Sequence, residues 1–150
     1  MAGMLRAREN RLITVEGLIG SGKSTLLKRC AEYFPQTRVI PERVSEWQNL
    51  ATKNGPVNLL EKFYADPGKM GFAFQVHVLQ TLAASHVDTL PPETPRMSER
   101  SIHSSVQLFG RLLMDKGHMD ATEFAILSGW YDLATVSYTH LRAHETGRNL

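Results

Sequence analysis

The apolar positions begin with a short run, Leu12-Ile13-Thr14-Val15-Glu16, too brief for a helix and rich in β-branched residues, which predicts a strand. A glycine-rich stretch follows. Apolar residues then recur at helical spacing, with Leu26, Leu27, Cys30, Ala31 and Phe34 on one stripe. Residues 37–42 predict a second short strand ending at the carboxylate of Glu42, and Lys53-Asn54-Gly55-Pro56 is a loop signal. Helical patterning covers residues 57–64, breaks at Asp66-Pro67-Gly68, and resumes over residues 70–87. Phe72, Val76, Leu79 and Ala83 form one face of that helix; Phe74, Val78 and Leu82 form an adjacent one, with Gln75 and His86 between apolar neighbours. Pro91, Pro92 and Pro95 mark a loop before a weakly apolar third strand over residues 96–100. A helix over 102–116 carries Val106, Phe109, Leu112 and Leu113 and stops at Gly117. Asp120 and Glu123 then have the spacing of a capping box for a helix bearing Phe124, Leu127 and Trp130. Strands alternating with helices predict an α/β fold on a parallel sheet.

From Thr135 this patterning lapses: residues 135–150 have neither a helical face nor a sustained alternation. Val136 to Thr146 also spells what the transposon-end adapter of a sequencing library would encode if read in frame. Residues 135–150 are therefore expected to be read-through, with residues 1–134 the N-terminal part of a domain whose natural sequence continues past Ala134. His140 and His144 then carry no function.

Composition adds mainly exclusions. At 42% hydrophobic, 150 residues suffice for one core, and a net charge of +2 argues for neither nucleic acid nor a membrane surface as partner. No apolar run is long enough to span a bilayer. The single cysteine, Cys30, rules out an internal disulfide framework and reads as a structural thiol. The basic leader before Leu12 is too short for a transit peptide, but the gene's own start could lie upstream, which leaves a cytoplasmic or mitochondrial location open.

Chemistry concentrates in Gly17-Leu-Ile-Gly-Ser-Gly-Lys-Ser-Thr25, which matches the phosphate-cradling pattern G-x-x-x-x-G-K-[ST] between a strand and a helix. Gly17, Gly20 and Gly22 are expected to take positive φ and bring N–H groups, with those of Ser21 and Thr25, up to phosphate oxygens. Lys23 supplies a point charge for the outer phosphates, and Ser24 a hydroxyl for Mg²⁺. The bland alternative is a glycine-rich turn with an incidental lysine. The motif and its setting together predict binding of a nucleoside triphosphate with Mg²⁺, and the family resemblance given below implies that the triphosphate is ATP. Glu42 falls at the carboxyl end of its strand, where open α/β sheets bind ligands. Gln75 admits three readings: solvated, paired in the core, or recognising a base through an amide that both donates and accepts.

Three features together resemble one family: the phosphate loop, Pro-Glu-x-Val-x-x-Trp at Pro41 to Trp47, and Glu-Arg-Ser at Glu99 to Ser101. The chain is similar to the deoxynucleoside kinases, of the type that comprises thymidine kinase 2, deoxycytidine kinase and the insect enzymes, from about Leu12 to Ala134. The spacing from Tyr64-Ala-Asp-Pro to Phe72-Ala-Phe-Gln75 is also the family's. The resemblance implies a three-layer α/β/α P-loop kinase fold, here cut short after about three strands. It implies Glu42 as general base for a deoxyribose 5′-hydroxyl, Arg100 steadying the transferring phosphoryl group, and Glu99 helping to hold Mg²⁺. It implies Tyr64 on the 3′-hydroxyl, Gln75 on the base edge, and Trp47, Phe74 and Phe109 as walls of the base site. Leu82 and Ser105 stand where purine-accepting relatives carry an arginine and an aspartate, which implies a pyrimidine preference, thymidine or deoxycytidine. A homodimeric full-length enzyme is implied too, with this fragment inactive. Departures are Arg43 in place of a proline, Met70 in place of a tryptophan, and the polar third strand. The alternatives are a nucleoside monophosphate kinase of the thymidylate kinase type, or a noncatalytic accessory subunit with the same fold. Residue by residue, Glu42 could be a plain strand-end carboxylate, Arg100 could pair with Glu46 or Glu99, and the aromatics could be simple core.

Overall fold

The computed structural model describes residues 12–18, 20–86 and 94–146, with side chains described as far as Thr135, His86 excepted. In chain order the elements are β1 (Leu12–Val15), α1 (Lys23–Tyr33), β2 (Arg38–Ile40), α2 (Val44–Gln48), β3 (Leu50–Thr52), β4 (Gly55–Val57), α3 (Leu59–Ala65), α4 (Pro67–His86) and β5 (Arg96–Glu99). After β5 come α5 (Ile102–Ser104), a π-helical segment (Ser105–Gly110), α6 (Arg111–Asp115) and α7 (Ala121–Thr146). The chain divides into two compact units, residues 1–42 with 88–101, and residues 43–87 with 102–150.

The first unit is a parallel sheet in the order β1-β5-β2, so the strand latest in sequence lies in the middle. Leu12 pairs with Arg96 and Val15 with Glu99 on one side; Arg38 pairs with Arg96 and Ile40 with Ser98 on the other. The third strand is thus real despite its polarity, but it ends at Glu99, one residue before the expected Arg100. Its polar residues are buried because they have partners: Ser98 is wholly buried, and its hydroxyl donates to the Arg100 carbonyl at 3.0 Å. The stripe on α1 is narrower than predicted. Leu27 is buried and Cys30 half-buried against β2 and β5, on which α1 packs, whereas Leu26 and Phe34 are exposed.

The second unit is built round α4, which with α2, α3, the π-helical segment, α6 and α7 encloses Trp47, Phe74, Val78, Leu82, Val106 and Leu127. This helix starts at Pro67, three residues before the predicted start at Met70. Proline is tolerated in a first turn, and Asp66 Oδ1 accepts the Lys69 N–H at 3.1 Å as a cap. Its buried line runs through Phe74, Gln75, Val78, Leu79 and Leu82, between the two predicted faces, while Phe72, Val76 and Ala83 are half-buried. Two elements escaped sequence reading: the one-turn α2, and the hairpin β3–β4, whose Lys53-Asn54 turn is closed by Thr52 Oγ1 donating to the Gly55 carbonyl at 2.7 Å. At Gly71 α4 passes so close to the loop before α7 that a Cβ would lie 2.8 Å from the His118 carbonyl oxygen. The capping box on α7 forms reciprocally, Glu123 N–H to Asp120 at 2.8 Å and Asp120 N–H to Glu123 at 3.0 Å. Beyond it Leu127 is fully buried, but Trp130, predicted on the same face, is 56% exposed.

The helix expected over 102–116 exists but is wound in three pieces with a π-helical middle. Its backbone neighbour α7 runs on through Thr146, into the segment where no helix was expected. No glycine or proline stands between Thr135 and Thr146 to stop it. No helix among the described residues is long and apolar enough to cross a membrane.

Candidate active site

The loop between β1 and α1 has the geometry its composition demands. Gly20 and Gly22 hold φ of 79° and 86°, the left-handed region that side chains resist. Gly17 does not belong with them, contrary to expectation; its role is space, since a Cβ there would sit 2.7 Å from Ser21 Oγ. Gly22 caps α1 without a side-chain hydrogen bond, and no acidic residue occupies the first turn. The leading N–H groups and positive end of an eleven-residue helix are therefore kept for an anion. Lys23 Nζ donates to the Leu18 carbonyl at 2.9 Å, which folds the ammonium back over the loop.

Ser24, one residue into α1, donates its hydroxyl to Glu99 Oε1 at 2.8 Å, so the two residues predicted to serve Mg²⁺ meet from helix and sheet. Both offer hard oxygen. Among the described residues no cluster of three or more His, Cys, Asp or Glu could cage a metal. One hydroxyl and one carboxylate beside a phosphate loop are what Mg²⁺ uses when phosphates and water complete its shell.

Glu42, two residues beyond β2, faces Arg100, just beyond β5, with Nε to Oε1 at 2.8 Å and both side chains mostly buried. Arg100 thus has Glu42 as an ion-pair partner, and Glu46 takes Arg43 at 2.6 Å. The Arg100 N–H does not point along the line to the oxygen, so the contact is Coulombic and Oε1 is buried without a hydrogen-bond donor. Burial pushes the Glu42 carboxyl above its ordinary value; Arg100 and Lys23 pull it down, while Glu99 and Glu16 push it up. Burial wins. A desolvated carboxylate with a raised pKa and an unsatisfied oxygen is an acceptor waiting for a proton.

Arg100 reaches this position through strain. Its φ is 92°, the single positive value at a described non-glycine residue, and such a backbone costs about 1–3 kcal/mol. The surroundings offset that: Arg100 N–H donates to the Val15 carbonyl at 3.3 Å, Ser98 Oγ donates to the Arg100 carbonyl, and Ser101 N–H donates to Glu16 Oε1 at 2.8 Å. Sequence reasoning missed Glu16 and Ser98. Each carried a usable signal, as a polar residue inside or at the end of an apolar strand.

In the second unit, Gln75 is buried on α4, and Ser105 Oγ donates to its Oε1 at a long 3.4 Å. Of its three readings, the solvated one is excluded. Trp47 is buried edge-on to Phe74, with centroids 5.7 Å apart and planes at 81°, and its Nε1–H donates to Thr81 Oγ1 at 3.0 Å. Phe74 stacks on Phe63 at 4.6 Å. Leu82 and Ser105 are buried, Phe109 is half-buried, and Tyr64 is 63% exposed with its ring against Phe63. Phe63 and Thr81 were not singled out in the sequence; nothing there distinguishes them from ordinary core. The arrangement is an aromatic wall beside a buried amide with a hydroxyl on it, the components for holding a flat polar ring.

The family model described as deoxynucleoside kinase matches residues 13–144. Thymidine kinase 2, mitochondrial, from Macaca fascicularis is 36% identical over 132 residues, covering 85% of this chain and 46% of the relative. The human protein of that name is also 36% identical, over 81% of this chain and 43% of its own length. Deoxycytidine kinase 2 from Gallus gallus is 29% identical, over 81% of this chain and 52% of its own. The chain spans about half the length of the curated relatives it matches. A match over residues 13–144, most of the chain, means that the chain belongs to the deoxynucleoside kinase family.

Proposed function

We propose that the full-length protein transfers the γ-phosphoryl group of ATP to the 5′-hydroxyl of a deoxynucleoside. The observation that carries this reading is the Glu42–Arg100 pair beside the phosphate loop: a raised, donor-free carboxylate next to a fixed cation. Glu42 accepts the proton of the attacking hydroxyl, and its raised pKa strengthens it as a base near neutrality. Arg100 and Lys23 compensate charge on the transferring group, and the loop's N–H groups align the phosphates. Mg²⁺, held by Ser24 and Glu99, supplies further charge neutralisation on the phosphate oxygens when bound. Gln75 pairs with the base edge, the Trp47 and Phe74 rings wall it with Phe109 stacking, and Tyr64 takes the sugar 3′-hydroxyl.

The substrate is proposed to be a pyrimidine deoxynucleoside, thymidine or deoxycytidine. Leu82 is apolar and Ser105 small, which suits a base carrying a 5-methyl group; a charged pair there would crowd that methyl or leave it against buried polar groups. The full-length protein assayed with ATP should turn over pyrimidine deoxynucleosides ahead of purines. Turnover of monophosphates alone would favour the thymidylate kinase reading, and ATP binding without any phosphorylation an accessory role. The 150-residue chain by itself is proposed to be nearly inactive, consistent with the apolar surface it exposes at Ile13, Leu18, Leu26, Tyr33 and Phe34. Residues 135–150 are proposed to be adapter read-through, although the family match reaches residue 144; resequencing the gene beyond codon 134 decides this.

A further inference from the structure

We propose that Glu16 and Ser98 are positioning residues that clamp the strained Arg100 peptide so that its guanidinium stays on Glu42. Two observations converge on one residue. Arg100 sits at φ 92°, a conformation an arginine leaves unless held. The peptide group on its carboxyl side is gripped at both ends by side chains: its carbonyl accepts from Ser98 Oγ at 3.0 Å, and its N–H, that of Ser101, donates to Glu16 Oε1 at 2.8 Å. The amide on its other side is tied to β1 through the Val15 carbonyl at 3.3 Å. Each grip is costly to place. Ser98 puts a hydroxyl at the fully buried centre of a sheet, where an apolar residue would serve packing better. Glu16 puts a second carboxylate near Glu42, where it adds repulsion. Neither residue is placed to touch a phosphate through these bonds; both act through Arg100. Their reward is the direction of the guanidinium, because a peptide rotated out of the left-handed region would swing the Arg100 side chain off Glu42.

The inference rests on the proposed kinase reading for its kinetic consequence but not for its structural one, so the test has both. In the full-length protein, Glu16→Ala and Ser98→Ala should lower kcat for thymidine by about tenfold or more, with the nucleoside KM within about twofold of the parent. Hydrogen exchange at the Ser101 amide should accelerate in Glu16→Ala. Glu16→Gln keeps an oxygen acceptor without the charge and should restore both kcat and Ser101 protection. Equal losses in Glu16→Gln and Glu16→Ala, or unchanged Ser101 exchange in Glu16→Ala, would overturn the clamp in favour of a purely electrostatic role. If the protein phosphorylates no nucleoside, the exchange result still decides the clamp, and only the kinetic reading falls. Should Glu16→Ala unfold the parent, Ser98→Ala carries the test with the Glu16 bond kept: it should lower kcat in the same way, and an unchanged kcat would overturn the proposal.

Discussion

Replacing Glu42 by glutamine separates its chemical role from its structural cost. A positioned general base contributes roughly 10²–10⁴ to rate, about 3–5 kcal/mol. Here the loss should fall in the upper part of that range, about a thousandfold or more, because Glu42 is the carboxylate that faces Arg100 with a donor-free oxygen. Glu16 Oε1 is taken by the Ser101 N–H and Glu99 Oε1 by Ser24 Oγ, whereas Glu42 Oε1 has no donor. Stability should move the other way. The folded-state pKa of Glu42 lies above its ordinary value of 4.5, so the folded protein binds this proton more tightly than the unfolded chain. The favourable contribution is complete below that ordinary value and lost as pH rises through the folded pKa; near neutrality the ionised carboxylate is a net burden. Glu42→Gln, whose amide can turn its oxygen to Arg100, should therefore be at least as stable as the parent at pH 7, and the advantage should vanish in acid. Steady-state thymidine phosphorylation by the full-length protein, with urea unfolding at several pH values, measures both. A loss of kcat below tenfold, or a variant less stable than its parent at neutral pH, would refute the reasoning.

Trp47→Phe removes the bond to Thr81, whose hydroxyl keeps its own bond to the Val78 carbonyl at 2.9 Å; the midpoint of urea unfolding should fall by an amount equivalent to about 1 kcal/mol with m unchanged. Gly71→Ala drives a methyl against the His118 carbonyl, which cannot turn aside as a side chain can, and should cost about 1–3 kcal/mol. Gly129→Ala, on exposed helix with nothing within 4 Å, should instead stabilise by about 0.5–1 kcal/mol, and the pair together tests the packing in one unfolding experiment. Leu82→Arg combined with Ser105→Asp should depress kcat/KM for thymidine far more than for deoxycytidine; equal effects on both would sink the assignment of these positions.

The phosphate loop was legible because its chemistry leaves little choice of residue, and the capping box of α7 because both its bonds span only three residues. Glu42, Glu99 and Arg100 were legible as types at strand ends. The partner of Arg100 was not, since it depends on β5 entering the sheet between strands that precede it by more than fifty residues. The face of α4 was misjudged because Gln75, Thr81 and Ser85 lie on its buried line and blur the apolar period. Ser85 is satisfied inside the helix, donating to the Leu82 carbonyl at 2.8 Å, and sequence alone gives no sign of that. The β3–β4 hairpin was missed because three residues a side, one of them Pro56, are too few for alternation to register.

The π-helical segment carries both Ser105 and Phe109. Its wider winding turns the chain less per residue than an α-helix does, so its six residues advance about as far round as five α-helical ones. Excising one of them, such as the half-buried Gln107, should let the segment rewind as α-helix while Leu113 still faces the core it fills. Excising Leu112 from α6 has no wide turn to absorb it and should rotate everything after it by about 100°, carrying Leu113 out of that core. The spare residue of this helix is stored in one turn, and only there can the chain give it up.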